Sequence, residues 1–414
     1  MIERALPSRL GSGFRWLVTS SWVSNLGDGF ALAAGPLLVA SETHDATLVA
    51  LATLLQRLPW LLFAVFAGAL ADRWNRALMV ASVDLARAAV LGLLAASILT
   101  GTVSIALVLV AMFILGTAEV FSSTASNSLL PSIVARDDLT IANARLFLGF
   151  AVVYQLAGPP IGAWLFGLGR AVPFVGQAVL VGLGAVMVLR IKLPRSEKEP
   201  EPLRAVRHEI WEGVRFTLRH PAIRTLLLTI LIFNVTFGAA WSVLVLYSEE
   251  RLHMGVVGFG LLTAASAVGG VLGSLGYGWI TQRVSLGNIM RVGLIIETLT
   301  HLFLALTTVP AVALLIMVIF GAHAMIWGTT SVTVRQRAVP TKMQGRVSSV
   351  YSLGVYGGLV IGAAVGGPIA DRFGITAPFW FAFAGSAAFV VLLWRQLRHI
   401  AHDEEQPSSP VPVG

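Results

Sequence analysis

The sequence predicts an all-α membrane protein with twelve transmembrane helices in two six-helix, pseudo-symmetric halves. Three observations carry this. The 414 residues are 56% hydrophobic and 12% charged, with a mean hydropathy of +0.80, whereas an ordinary soluble domain is about 25% charged. Apolar runs of roughly 20 residues, enough to cross the hydrocarbon core of a bilayer, recur twelve times along the chain. Short motifs of the first half also return in the second, at an offset close to half the length.

The runs lie at 15–40, 47–71, 76–99, 103–127, 143–167, 172–193, 222–247, 256–281, 287–308, 311–333, 345–369 and 375–394. They are too long and too evenly apolar for the alternating strands of a barrel, so they are expected to be helices. The first follows Arg4, Arg9 and Arg15. It exceeds the roughly 7–15 apolar residues of a cleavable signal and is expected to stay as a membrane span. Of the 29 Lys and Arg residues, 24 fall at the termini and in alternate loops, three in the opposite loops and two inside spans. Basic residues concentrate on the cytoplasmic side. The expected topology is therefore a multi-pass protein of the cytoplasmic (inner) membrane with both termini in the cytoplasm.

Nine of the basic residues lie in 190–224, which divides the spans six and six. The expected organisation is a first half at 1–193, a cytoplasmic linker at 194–221, a second half at 222–398 and a disordered tail at 399–414. Within the linker, Val206, Ile210 and Val214 recur every four residues with basic residues between them. That pattern fits an amphipathic helix on the inner membrane surface, or equally a solvated connecting helix.

Gly68-x-x-x-Asp72-Arg73 returns as Gly278-x-x-x-Gln282-Arg283, an offset of 210. Pro131 pairs with Pro340, and Gly158-Pro159-Pro160-Ile161-Gly162-Ala163 pairs with the stretch from Gly366 to Asp371. Three matches at nearly one offset imply two halves of the same topology, a parallel repeat of the kind found in secondary transporters.

The first copy reads GALADRWNR and joins spans two and three. Its glycine would let helices approach closely. Asp72 could face a helix N-terminus or an arginine. Arg73 and Arg76 suit the inner membrane face, and Asn75 suits a turn. The loop resembles the signature of the major facilitator superfamily between its second and third helices. Gly68, Asp72, Arg73 and Arg76 match; Asn75 and Ala77 depart from the pattern. The resemblance implies a loop that gates the switch between outward- and inward-facing states, with Gln282 and Arg283 as its repeat and Glu119 of span four joining the network around Arg76. SNLGDGFALAAGPLLV, NSLLPSIVARDDLTIANA, EGVRFTLRHPAIRTLL and RQRAVPTKMQGRVSS resemble the macrolide-efflux and enterobactin-exporter branch. Gly158, Pro159, Pro160 and Gly162 resemble the core of the antiporter signature of span five, although Tyr154 stands where that signature has a glycine. The arginine typical of span four in many drug antiporters is missing, with Met112 near its place.

Ionisable groups inside the bilayer are costly and are functional candidates by default. Asp28 and Arg57 lie at roughly 20 Å and 15 Å along spans one and two at about 1.5 Å per residue, and so at similar depth on neighbouring helices. They read as a proton-coupling pair or as a permanent ion pair. Glu297 in span nine is a further proton-coupling candidate, or a packed group on a peripheral helix. Asp84 and Arg87, three apart on span three, are expected to pair with each other. Asn25, Gln155, Asn234, Trp241, His323, Trp327 and Tyr356 fall at depths that suit a cavity for a bulky amphipathic ligand, or helix packing.

No phosphate-binding GxxxxGK[ST], HExxH or GxSxG motif occurs, and the chain has no cysteine. No catalytic residue, metal site or cofactor is expected, and neither is nucleic acid. The expected partners are a small amphipathic substrate, protons and the lipid bilayer, with the chain acting as a monomer. The branch resemblance implies a secondary active transporter exporting drugs or secondary metabolites by proton antiport and alternating access. The alternatives are a proton-coupled importer, a siderophore or lipid transporter, and a non-transporting membrane receptor or scaffold.

Overall fold

A computed structural model describes residues 10–135, 138–191, 203–340 and 343–394. The expected tail, most of the polar linker before residue 203, and Arg4 and Arg9 lie outside the described residues. All regular structure among the described residues is helical. Twelve apolar helices follow one another: α1 Gly11–Glu42, α2 Ala46–Arg73, α3 Arg76–Leu99, α4 Ile105–Ile133, α5 from Leu139 to Leu168, α6 Val172–Val188, α7 Pro221–Trp241, α8 Gly255–Thr281, α9 Leu286–Leu306, α10 Pro310–Ala338, α11 Gln344–Phe373 and α12 Ala377–Leu393. Ten are long and apolar enough to cross a bilayer. The other two, α6 and α12, have 17 residues each, the short end of what about 17–25 residues can span.

The helix starts are written locally. Asp45, Asn75, Ser104 and Ser285 each accept a hydrogen bond from a backbone N–H three residues on. This satisfies one donor that the first turn would otherwise leave bare. Proline opens α6, α7, α10 and α12, where its missing N–H costs nothing. Leu93, Leu275, Val391 and Leu392 stay more than seven-tenths exposed. Such apolar surface belongs against lipid, since only about a third to a half of most spanning helices is buried within the protein.

Helices α1–α6 pack mainly among themselves, and so do α7–α12. Two seams join the groups, α2 against α11 and α5 against α8. Asp371, near the end of α11, closes the first. Its Oδ1 accepts the N–H of Ala46 at 2.8 Å and its Oδ2 the N–H of Thr47 at 2.9 Å, with the Thr47 hydroxyl also on Oδ2. A carboxylate of one group thus caps the N-terminus of a helix of the other. Further along this seam Trp60 stacks on Tyr356, with centroids 4.9 Å apart and planes 5° from parallel. The Asp371 contact lies at the bundle end carrying loops 43–45 and 374–376, here the far end; loops 74–75 and 282–285 and the linker helix mark the linker end.

Helix α5 is not uniform. It begins as Leu139–Leu148, widens to a π-helix over Gly149–Ala157 and resumes as Gly158–Leu168. Trp22 of α1 wedges against this region and donates to the Arg145 carbonyl at 3.2 Å. A Cβ on Gly149 would meet the Trp22 ring at 2.2 Å. Past the widened stretch, α1 and α5 cross at near backbone contact, where a Cβ on Gly158 would lie 2.4 Å from the Gly29 Cα.

The linker helix Leu203–Arg219 docks on α11 and α7. Arg346 of α11 pairs with Glu212, and Gly213 meets the Arg346 backbone. Among its described side chains, from Trp211 onward, Gly213 and Thr217 are buried and Val214 is half-buried. The expected apolar stripe is described at Val214 alone. The side chains of Val206 and Ile210 lie outside the described residues. Trp211, Arg215 and Leu218 point away and stay exposed.

Candidate substrate and ion sites

Two cavities hold the candidate chemistry. The first lies within the α1–α6 group, about 490 Å³ in volume. Its walls are polar for a membrane interior: Ser20, Ser21, Ser24 and Asn25 of α1 face Ser123, Ser126 and Asn127 of α4. At its deep end, α1, α3 and α6 converge on the Asp28 carboxylate. Arg87 of α3 donates to Asp28 Oδ1 of α1 at 2.6 Å and to Asp84 Oδ1 at 3.1 Å. Gln177 of α6 donates to the same Asp28 oxygen at 3.1 Å. Glu119 of α4 lies in the field of Arg57, Arg87 and Asp28. A small void of about 30 Å³ touches Asp28, Arg87, Glu119, Tyr154 and Gln177 together, room for one water.

Asp84 and Arg87 do pair, but the arrangement corrects two other expectations. The arginine of Asp28 is Arg87, not Arg57. Helix α1 packs on α5 and α6 rather than chiefly on α2, and α3 also lies on α6, so Arg87 and Gln177 reach Asp28. Helix α2 packs on α4, which turns Arg57 toward Glu119. For the same reason Glu119 belongs to this cluster and not to a network around Arg76. Arg76 donates to the Ser128 carbonyl at 3.2 Å and to Ser132 Oγ at 2.8 Å. Those residues lie about two and a half to three and a half turns further along α4, at the linker end.

The second cavity, about 900 Å³, lies between the groups and draws most of its wall from α7, α8 and α10. Gln155, Asn234, Trp241, His323 and Trp327 line it. Phe237, Trp241 and Phe320 form a ring cluster with centroids 4.3–5.7 Å apart. Glu297 of α9 also reaches this wall, so it is not peripheral. His323 stands beside it, with Nε2 3.5 Å from Glu297 Oε2; the approach lacks hydrogen-bond geometry. Two of the seven expected cavity residues are elsewhere. Asn25 lines the polar cavity, and Tyr356 is occupied by Trp60 in the α2–α11 seam.

The lining of the central cavity runs from Trp241 and Met317 to Arg335 and Tyr351 near the linker end. There the Arg335 guanidinium sits over the Tyr351 ring, 3.7 Å from its centroid. Around Gly68 the expectation of close helix approach fails in this state. An added Cβ at Gly68, or at its repeat partner Gly278, would meet nothing within 4 Å. The side chains of Asp72 and Arg73 lie outside the described residues. Gln282 closes α8, and Arg283 folds back on its own helix, donating to the Trp279 carbonyl at 3.1 Å and lying 4.4 Å from the Trp279 ring. Gly158 and Gly162 face α1, while Pro159 and Pro160 meet Gly260 of α8. That motif thus touches both the helix packing of its own group and the second seam.

Over residues 8–413 the chain matches the family described as transmembrane secretion effector, one of the major facilitator superfamily. The chain belongs to this family. Its members are membrane transporters, not enzymes, and the chain is a multi-pass secondary transporter. The multidrug efflux pump Tap of Mycolicibacterium fortuitum is 26% identical over 381 residues, 88% of this chain and 90% of Tap. The enterobactin exporter EntS of Citrobacter koseri is 26% identical over 419 residues, 97% and 95% of the two chains. Among solved structures, the nucleoside transporter NupG superposes with a TM-score of 0.71 at 14% identity, covering 96% of this chain and all of that one. A bacterial homologue of the iron transporter ferroportin, in an inward-facing state, superposes at 0.69 and 16% identity, with 93% and 98% coverage. These likenesses settle the family fold, and the detailed chemistry is this chain's own.

Several site residues carried no sequence signal strong enough to single them out. Gln177 is one polar residue in an apolar span. Asp371 ends a helix whose proline and glycines attracted the attention. His301 is fully buried beside Trp241, ring centroids 6.0 Å apart, with no hydrogen-bond partner on either nitrogen.

Proposed function

We propose that this protein is a proton-coupled exporter of amphipathic drugs or secondary metabolites, working by alternating access as a monomer in the cytoplasmic membrane. The observation that carries the reading is the cluster at the end of the polar cavity. Three carboxylates, Asp28, Asp84 and Glu119, share two guanidiniums, Arg87 and Arg57. With both bases charged, one acid is in excess, and a proton is the simplest counter-ion for it. Serines and asparagines line the route from that cluster toward the linker end, as a wetted proton path requires. The excess of basic residues in the linker-end loops supports a cytoplasmic position for that end. The far-end latch at Asp371 and the unpacked faces of Gly68 and Gly278 then support an inward-facing reading. In the outward-facing state the loop from Gly68 to Arg76, with Asp72 and Arg73, would close the cytoplasmic end against the second half. Tap and EntS, named as an efflux pump and an exporter, support the outward direction.

The test is uptake of a fluorescent drug into inside-out membrane vesicles carrying an imposed proton gradient. Wild type should accumulate the drug and a protonophore should abolish this. Asp28→Asn, at matched protein level, should lose gradient-driven uptake by about tenfold or more, the scale expected when an essential proton carrier is removed. Accumulation driven only in right-side-out vesicles would mark an importer. Full activity in Asp28→Asn would place the coupling acid elsewhere.

A further inference from the structure

Among the described residues lining the central cavity, the Glu297 carboxylate has a histidine beside it but no Lys or Arg, and the geometry points to a cationic ligand. We propose that Glu297 and the rings of α7 and α10 form a recognition site for a lipophilic cation. A protonated amine or onium group would sit against Glu297, with its apolar body on Trp241, Phe320 and Trp327. The proposal rests on reading the central cavity as the substrate site, and it adds the substrate's charge.

The contrast with the polar cavity is the first argument. Asp28 has an arginine at 2.6 Å. Glu297, at about mid-length of α9, has His323 at 3.5 Å as its one ion-pair partner among the described residues, and the contact lacks hydrogen-bond geometry. A bare carboxylate at such depth is costly unless something cationic reaches it. Among the described lining residues Glu297 is the one carboxylate, and the one Lys or Arg is Arg335. Arg335 lies twelve residues beyond His323 on α10, roughly 18 Å away along the axis. It is at the mouth, where its charge is held over Tyr351. The deep wall therefore carries a carboxylate and, among the described residues, no Lys or Arg.

The rings are the second argument. Trp241 and Phe320 lie 4.7 Å apart, and aromatic faces attract a cation that leaves water. The third argument is the fit of α9 to α10. A Cβ on Gly293, one turn before Glu297, would meet Trp327 Cδ1 at 2.8 Å and His323 Nδ1 at 3.1 Å. Glycine there lets both side chains lie against α9, which brings the indole and the carboxylate to one wall. A volume of about 900 Å³ suits a drug-sized ligand.

Tetraphenylphosphonium and tetraphenylborate have nearly the same shape and opposite charge, so the pair isolates charge recognition. Binding of each to the purified full-length protein in non-ionic micelles is read from quenching of tryptophan fluorescence, with no proton gradient. Wild type should bind the phosphonium at least about tenfold more tightly than the borate, a difference of about 1.4 kcal/mol. Glu297→Gln should remove that preference and Glu297→Asp should keep part of it. Equal binding of the two ions, preference for the borate, or unchanged phosphonium binding in Glu297→Gln would each overturn the proposal. If Glu297→Gln fails to fold, the wild-type comparison still decides. Because no gradient is used, loss of proton-driven export with cation preference intact would sink the coupling scheme alone. Proton-driven export of a neutral drug without cation preference would sink this inference alone.

Discussion

The two halves share a helix plan and differ in how they treat a buried acid. In the first, Asp28 and Asp84 sit on Arg87, Gln177 adds a donor, and serines line the approach. In the second, Glu297 looks across an imidazole toward tryptophan and phenylalanine rings. The repeat set the scaffold and left the chemistry free to diverge. A carboxylate held by a guanidinium is a fixed electrostatic element whose proton can be tuned by small movements. A carboxylate without one waits for a ligand. Under the proposals made above, the labour is divided, with protons handled in the first half and the cargo's charge in the second.

The largest expected effect tests the first half. Arg87→Leu leaves the buried Asp84 and the part-buried Asp28 without their base. Breaking a buried ion pair on one side costs about 3–5 kcal/mol, so this variant should show a sharp loss of thermal stability in detergent and of membrane yield. His323→Leu removes a partner that makes no good hydrogen bond and should cost about 1 kcal/mol or less, in the range of an ordinary substitution. Similar melting temperatures for the two variants would break the comparison, because Glu297 would then depend on His323 as Asp28 depends on Arg87.

A smaller effect tests the seam that joins the halves. Asp371→Ala removes two backbone hydrogen bonds at the start of α2. Loss of a cap of this kind costs about 0.5–2 kcal/mol. If that cap exists only while the far end is closed, the loss falls on one conformation and shifts the balance between states by roughly two- to thirtyfold. The chain contains no cysteine, so Gly278→Cys offers a clean reporter at an unpacked linker-end position. Adding Asp371→Ala should slow labelling of that cysteine by a membrane-impermeant reagent in inside-out vesicles. Unchanged labelling would mean that the apolar part of the seam sets the state.

The scaffold was readable because each span is long and uniformly apolar and because the halves repeat. Asp28 stood out because charge in a bilayer is rare. Its partner did not, because sequence order makes α1 and α2 look adjacent while the bundle sets α3 and α6 against Asp28. Helix facing was equally hidden. A helix apolar all round has little periodicity to show which side looks inward, so Tyr356 read as a cavity residue and lies instead in a seam. Asp371 sits at a helix end near the water, where a carboxylate needs no special explanation; its role is visible only once α2 is placed beside it.

The smallest effect separates the two copies of the repeated loop. Gly68 and Gly278 both face open space here, so alanine at either should leave this state unstrained and stabilise its helix by up to about 1 kcal/mol. Any transport defect must then arise in the other state, where the helices would close over these positions. The first copy has Asp72 beside Arg73, whereas the second has Gln282. A gate that closes on a carboxylate needs the tighter approach in the first copy. Gly68→Ala should therefore slow transport several-fold with no loss of melting temperature, and Gly278→Ala should slow it less. Equal slowing would make the gate as symmetric as the fold, and the divergence of the halves would then be confined to the two cavities.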